Sequence, residues 1–183
     1  VVDHLPVVDE AGRVVDLFLR HELFDRERLP LSAVVMAGGK GIRLRPLTEK
    51  LPKPMLPIGK KPLLELLVHQ LRRSGIRKVK VATHFEPERI TEHFQDGSGF
   101  GVEIDYLQEE EPLGTAGALG MLPPQDDPLL VINGDILTNI NFARMLDFHN
   151  QHKADMTIGV RDYRVRVPYG VIECNGPDVM GVT

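Results

Sequence analysis

Three glycines in four residues, Gly38, Gly39 and Gly41, stand among Lys40, Arg43, Arg45 and Lys53 in the stretch VVMAGGKGIRLRPLTEKLPKPMLPIGKKP, residues 34–62. Bare backbone N–H groups of a glycine turn can approach an anion closely, and neighbouring guanidinium or ammonium groups cancel its charge. That pattern suits a phosphate-bearing ligand. A second chemical group, Asp135, closes the apolar run PLLVING. By residue type alone, a carboxylate there could simply close an Asx turn.

Neither familiar phosphate loop fits. A Walker loop needs GxxxxGK followed by Ser or Thr, and that spacing is absent around Gly38–Gly41. The dinucleotide fingerprint GxGxxG finds its first two glycines in Gly39 and Gly41 but meets Leu44 at the third. Among other candidate groups, the run Glu109, Glu110, Glu111 ordinarily makes a solvated face, and His149 and His152 have helical i, i+3 spacing without an evident third metal ligand. Met36 and Met55 flank the basic loop and suit core packing.

The elements that must position these groups alternate. LSAVVMA (31–37) is a short apolar strand ended by glycines, and KPLLELLVHQLRRSG (61–75) has a helical leucine spacing between Pro62 and Gly75. RKVKVAT predicts a strand, PERITEHFQDG a helix, VEIDYLQ a strand, and GTAGALGML the start of a small-residue helix. PLLVINGD predicts a buried strand, NFARMLDFHNQHK a helix and ADMTIGV another strand. Strands separated by helices imply an α/β fold, a doubly wound, mainly parallel, Rossmann-like sheet, whose ligands lie beyond the carboxyl ends of its strands.

The 183 residues, 42% hydrophobic and 26% charged, can bury one good core. A net charge of -4 and a pI near 6.0 argue against a bulk nucleic-acid binder or a membrane-surface protein, so the basic cluster is local. No apolar run approaches a membrane span. The single cysteine, Cys174, makes no internal disulfide and fits a reducing cytoplasm.

The longer string AGGKGIRLRPLTEKLPKPMLPIGKKPLLE resembles the signature of the sugar-1-phosphate nucleotidylyltransferases, GGxGxRLxPLT followed by PKPMLPI and KPLLE. EEEPLGTAGAL, VINGD and VPYGVIE resemble that family's nucleotide-contact, metal-aspartate and sugar-site segments, in the same order. The resemblance implies a nucleotide-diphospho-sugar transferase fold and a reaction joining a nucleoside triphosphate to a sugar 1-phosphate with release of pyrophosphate. It implies that Gly38, Gly39, Gly41, Arg43, Glu109, Gly114 and Thr115 bind the nucleotide, and that Arg43, Lys53 and Asp135 serve catalysis. Asp135 would hold Mg²⁺, while Tyr169, Gly170 and Glu173 would face the sugar. EEEPLGTAGAL is closer to the mannose-1-phosphate guanylyltransferase-like members than to thymidylyl members, which favours GTP. Ile42 departs from the Thr or Ser that many members carry.

Residues 1–29 read differently. HLPVVDEAGRVVDLFLRHEL predicts a β-hairpin with DEAG as its turn, running into a short helical stretch. It resembles the closing part of a CBS motif, read as a remnant or packing arm ahead of a nucleotidyltransferase portion at 30–183. The chain lacks an initiator Met and stops at Thr183 before the family's EKP segment and second metal Asp. A longer natural protein is therefore expected, with this stretch binding nucleotide but not transferring it. Homo-oligomerisation is open. A catalytically silent nucleotide-binding or regulatory module is the alternative to an enzyme.

Overall fold

A computed structural model describes residues 4–19, 28–125, 127–165 and 170–182. In chain order it contains a hairpin of strands β1 (His4–Val8) and β2 (Val14–Leu19), then strand β3 (Ser32–Met36). A long loop carries the two-residue strands β4 (Pro57–Ile58) and β5 (Lys61–Pro62) and leads into helix α1 (Leu63–Arg73). Strand β6 (Lys78–Thr83), helix α2 (Pro87–Phe94), strand β7 (Glu103–Gln108), strand β8 (Leu129–Asn133) and helix α3 (Phe142–His152) follow. A second hairpin, β9 (Ile172–Asn175) with β10 (Asp178–Val182), comes last.

Strands β7, β6, β3 and β8 form one sheet in that order, and every pairing in it is parallel. The expected Rossmann-like α/β architecture is therefore present. β3 is central because its Ala33, Val34 and Val35 are all fully buried, as a strand covered on both faces requires. Against the sheet, α1 lays Leu64, Leu67, Val68 and Leu71, each inaccessible to solvent, and α2 adds Ile90 and Phe94. Pro62 directly precedes α1, and Gly75, with φ 93°, adopts the left-handed conformation that stops it. α3 is capped by Asn141, whose Oδ1 accepts the Arg144 N–H at 3.2 Å.

Three expectations are corrected. β8 is the edge of the described sheet rather than a buried strand, and its Val131 is 42% exposed. Residues 154–160 have strand-like alternation but form no ladder; Met156, Ile158 and Val160 are exposed, and alternation without a hydrogen-bonding neighbour makes no sheet. Residues 117–121 form only a 3₁₀ turn, since Gly114, Gly117 and Gly120 make a continued helix costly. The N-terminal hairpin is present as expected. Asp9 closes its turn by accepting the Ala11 and Arg13 N–H groups at 3.0 and 2.9 Å. The helical stretch expected after it falls in residues 20–27, outside the described residues. Among the described residues, no helix is long and apolar enough to cross a membrane.

Candidate functional site

A cleft of about 590 Å³ opens at the carboxyl ends of the parallel strands. Its floor is the run that leaves β3, from Met36 through the glycine turn to Leu44. Lys53 and Pro54 close one side, Glu109, Pro112, Gly114 and Thr115 enter from the end of β7, and Asn133 and Asp135 from the end of β8. Gly38, Gly39, Gly41, Arg43, Lys53, Glu109, Gly114, Thr115 and Asp135, separated by up to 97 positions in sequence, thus meet in one hollow. Lys40 also lines it, whereas Arg45 does not.

The glycine turn is shaped by its neighbours. Gly41 has φ 59°, and a Cβ there would sit 3.0 Å from Thr48 Cγ2 and 3.1 Å from Lys53 Cβ. Thr48, 1% exposed, donates its hydroxyl to the Gly41 carbonyl at 2.8 Å and holds the turn from behind. Three backbone bonds within residues 41–47 wind the chain into a tight 3₁₀ path, placing Arg43 exposed at the rim. A mobile cation at a rim can fold onto a phosphate without having been desolvated in advance.

Across the cleft, Lys53 Nζ is ion-paired with Asp135 Oδ2, the two side chains being 33% and 29% exposed. The pairing follows from close packing beneath it. The Gly134 N–H donates to the Met36 carbonyl at 2.9 Å, and a Cβ on Gly134 would meet that carbonyl oxygen at 3.2 Å and Pro54 Cγ at 3.3 Å.

Glu109 is not part of a solvated face. It is 7% exposed, its backbone N–H donates to the Thr83 carbonyl at 2.9 Å, and its Oε2 accepts the Leu113 N–H at 3.3 Å. Glu110 and Glu111 remain exposed, so one member of the acidic run is inside while its neighbours stay in water. Gly170 and Glu173 lie in the exposed segment around β9 and are not among the cleft-lining residues, and Tyr169 lies outside the described residues. His149 Nδ1 contacts Thr157 Oγ1 at 3.0 Å and His152 Nδ1 donates to the Phe148 carbonyl at 2.9 Å. No group of three or more His, Cys, Asp or Glu suited to a metal ion occurs among the described residues. Met55 is a core residue, 7% exposed, as expected.

Two positioning groups gave no signal of this kind in the sequence, Thr48 and His84. Thr48 acts on Gly41, seven positions before it, and His84 on Glu109, 25 positions after it, through bonds that only the folded path of the chain reveals. A third cluster braces the far end of the loop. Glu65 Oε1 pairs with Lys61 Nζ at 2.8 Å and lies 3.3 Å from His69 Nε2, and Glu65 Oε2 lies 2.9 Å from His93 Nε2. Burial raises the Glu65 carboxyl pKa, but hydrogen bonds from Lys61 and His93 outweigh it and leave the group below its ordinary range. His69 is held below the ordinary imidazole value by burial and by the Lys61 charge.

A family profile described as nucleotidyl transferase matches residues 32–181, the stretch that builds the sheet and the cleft. The chain belongs to the nucleotidyl transferase family. Among curated relatives, a mannose-1-phosphate guanylyltransferase of Mycobacterium tuberculosis is 42% identical over 130 residues, covering 70% of this chain and 36% of that protein. Among solved structures, a putative glucose-1-phosphate thymidylyltransferase of Bacillus anthracis in complex with a sucrose superposes with a TM-score of 0.61 at 25% identity, covering 83% of this chain and 63% of that one. HddC of Yersinia pseudotuberculosis complexed with GMP-PN gives a TM-score of 0.56 at 27% identity, covering 64% of this chain and 53% of that one. The chain thus spans 36–62% of the length of the curated relatives that it matches.

Proposed function

We propose that this chain is the nucleotide-holding part of a sugar-1-phosphate nucleotidylyltransferase. It would take a nucleoside triphosphate, GTP by preference, toward a hexose 1-phosphate and release pyrophosphate. The observation that supports this most is the meeting of the glycine turn, Lys53, Asp135 and the Glu109–Thr115 segment in a single cleft at the strand ends. In the proposed reaction a sugar phosphate oxygen forms a bond to the α-phosphorus while the bond from that phosphorus to the pyrophosphate oxygen breaks. No protein nucleophile is required; both reactants are polyanions, so the protein must align them and cancel charge.

The residues of the cleft supply those functions. Gly38, Gly39 and Gly41 present backbone donors to the triphosphate, Arg43 folds onto the leaving pyrophosphate, and Lys53 clamps a phosphate near the reacting centre. Glu109 faces the base. The Watson–Crick edge of guanine carries two adjacent N–H donors, which match a buried carboxylate, whereas uracil and thymine offer one donor between two acceptors that a carboxylate would repel. A carboxylate oxygen has room for the Leu113 N–H and a base N–H together.

Mg²⁺ fits the donor set in a limited way: Asp135 offers one carboxylate, and Mg²⁺ at phosphate sites commonly takes one or two carboxylates, the rest being phosphate and water oxygens. When bound, the ion would neutralise charge on the transferring phosphates. Asp135 would be its ligand from this chain. For the sugar side, Tyr169, Gly170 and Glu173 stay as proposed contacts. We place the boundary between an arm with CBS resemblance and the nucleotidyltransferase portion at residues 29 and 30. Cytoplasmic residence, possible homo-oligomerisation and the absence of nucleic-acid and membrane partners complete the proposal.

Calorimetry of the chain with GTP, UTP, dTTP and ATP tests it, together with pyrophosphate release in the presence of mannose and glucose 1-phosphates. GTP binding without turnover is the expected result for this stretch. Loss of no more than twofold in GTP affinity in Arg43→Ala, or no binding of any triphosphate, would remove the basis for the site.

A further inference from the structure

We propose that His84 is a positioning residue that sets which base the cleft accepts by holding Glu109, a role that rests on the cleft being a nucleotide site. The ladder between β6 and β7 ends at the pair Thr83 and Gln108. Glu109 therefore stands one residue beyond the sheet, where no further strand pairing fixes its backbone. Thr83, the last residue of β6, and His84 just after it replace the ladder there. The Thr83 carbonyl accepts the Glu109 N–H at 2.9 Å, and His84 Nδ1 lies 3.0 Å from the Glu109 carbonyl. A carbonyl oxygen only accepts, so His84 bears its hydrogen on Nδ1 and donates it.

The other side of His84 faces the glycine turn. A Cβ on Gly38 would lie 3.2 Å from His84 Cβ and 3.4 Å from its backbone N, so the turn seats against this residue closely enough to favour glycine. His84 is half-buried and is not among the cleft-lining residues. It touches the phosphate floor through Gly38 and the base wall through Glu109, and so fixes the distance between the two. A carboxylate that reads a base edge must be held to within a fraction of an ångström of its working place, which the end of a ladder alone does not provide.

The test separates base binding from phosphate binding. Calorimetry of the full 183-residue chain measures GTP, UTP and inorganic tripolyphosphate, the last being a probe without a base. In His84→Ala, loss of one net hydrogen bond should weaken GTP about five- to tenfold and narrow the GTP to UTP preference by a similar factor. Tripolyphosphate affinity should stay within twofold of the parent. His84→Asn, whose amide nitrogen stands near where Nδ1 stood, should restore most of the GTP preference. If GTP and tripolyphosphate fall together in His84→Ala, or if neither changes, His84 is scaffold and the proposal is overturned. Should His84→Ala lose its cooperative thermal unfolding, His84→Asn and His84→Gln decide in its place, since only the shorter amide should keep the parent's preference. A parent that binds tripolyphosphate but discriminates no base would instead overturn the assignment of Glu109. Binding of no triphosphate by the parent would overturn the nucleotide site itself.

Discussion

In the cleft Lys53 neutralises Asp135, the very carboxylate proposed to hold Mg²⁺. Any cation seeking Asp135 must first displace an ammonium group. Removing that group while keeping the aliphatic stem, as Lys53→Met does, should therefore strengthen divalent cation binding to the nucleotide-free protein. The size follows from two limits. Unit charges about 4 Å apart interact by roughly 4 kcal/mol at an effective dielectric of about 20, whereas fully exposed pairs are worth roughly 0.2–1 kcal/mol. With the Lys53 and Asp135 side chains about a third exposed, screening is substantial but incomplete. A value near 1.5 kcal/mol, roughly tenfold in affinity, lies between those limits.

Titration with Mn²⁺, followed by electron paramagnetic resonance of the free ion, measures this directly. Lys53→Met should bind Mn²⁺ about tenfold more tightly than the parent, and Asp135→Asn should lose the site in either background. With GTP present the order reverses, because the triphosphate draws Lys53 away from Asp135 and then needs its charge. Lys53→Met should consequently bind GTP more weakly while binding the free ion better. Equal or weaker Mn²⁺ binding in nucleotide-free Lys53→Met would refute the competition and with it the placement of the ion at Asp135.

Gly41→Ala forces a β-carbon into the left-handed region and against Thr48 and Lys53; a loss of about 1–2 kcal/mol in urea denaturation is expected, with weaker tripolyphosphate binding by calorimetry. Glu109→Gln turns one acceptor of the base wall into a donor and should weaken GTP by about 2 kcal/mol while affecting UTP less, as read by competition calorimetry. Glu65→Ala breaks the tie among Lys61, His69 and His93 and should lower stability by about 2–3 kcal/mol in denaturant melts. Because the folded Glu65 carboxyl and His69 imidazole both titrate below their ordinary values, stability held at neutral pH should fall on acidification, first through the imidazole range and then through the carboxylate range. A pH series of melts in which Glu65→Ala and the parent decline in parallel would contradict that assignment.

The sequence makes the sheet and the phosphate floor legible because both depend on short-range chemistry. Ala33–Val35 is apolar on both faces and therefore central, and a glycine turn directly after such a strand faces the carboxyl edge. Thr48 and His84 escape notice because their value lies in single bonds to Gly41 and Glu109, which depend on the folded path of the chain. By residue type Glu109 is one of three glutamates that ordinarily make a solvated face, with only the motif resemblance pointing it to the nucleotide, and the end of β7 carries it inward past Gln108. Residues 154–160 err the other way. Their alternation is compatible with a strand, but strand formation is a property of two segments, and no described segment pairs with them.

One packing constraint also joins the two charged motifs of the cleft. β3 and β8 are neighbours, and the last bond between their ends runs from the Gly134 N–H to the Met36 carbonyl. That bond pulls the turn before Asp135 onto the start of the glycine loop, where Pro54 and Ala37 come within 3.3 and 3.4 Å of a Gly134 Cβ position. A Cβ at residue 134 would be tight against the Met36 carbonyl and Pro54, so that one of them must give way slightly, and Lys53 is the residue next to Pro54. The meeting of Lys53 with Asp135 across 82 positions of sequence is thus eased by the close seating of Gly134 on the start of the glycine loop. Gly134 acts on the cleft's electrostatics through distance alone, without touching either charge.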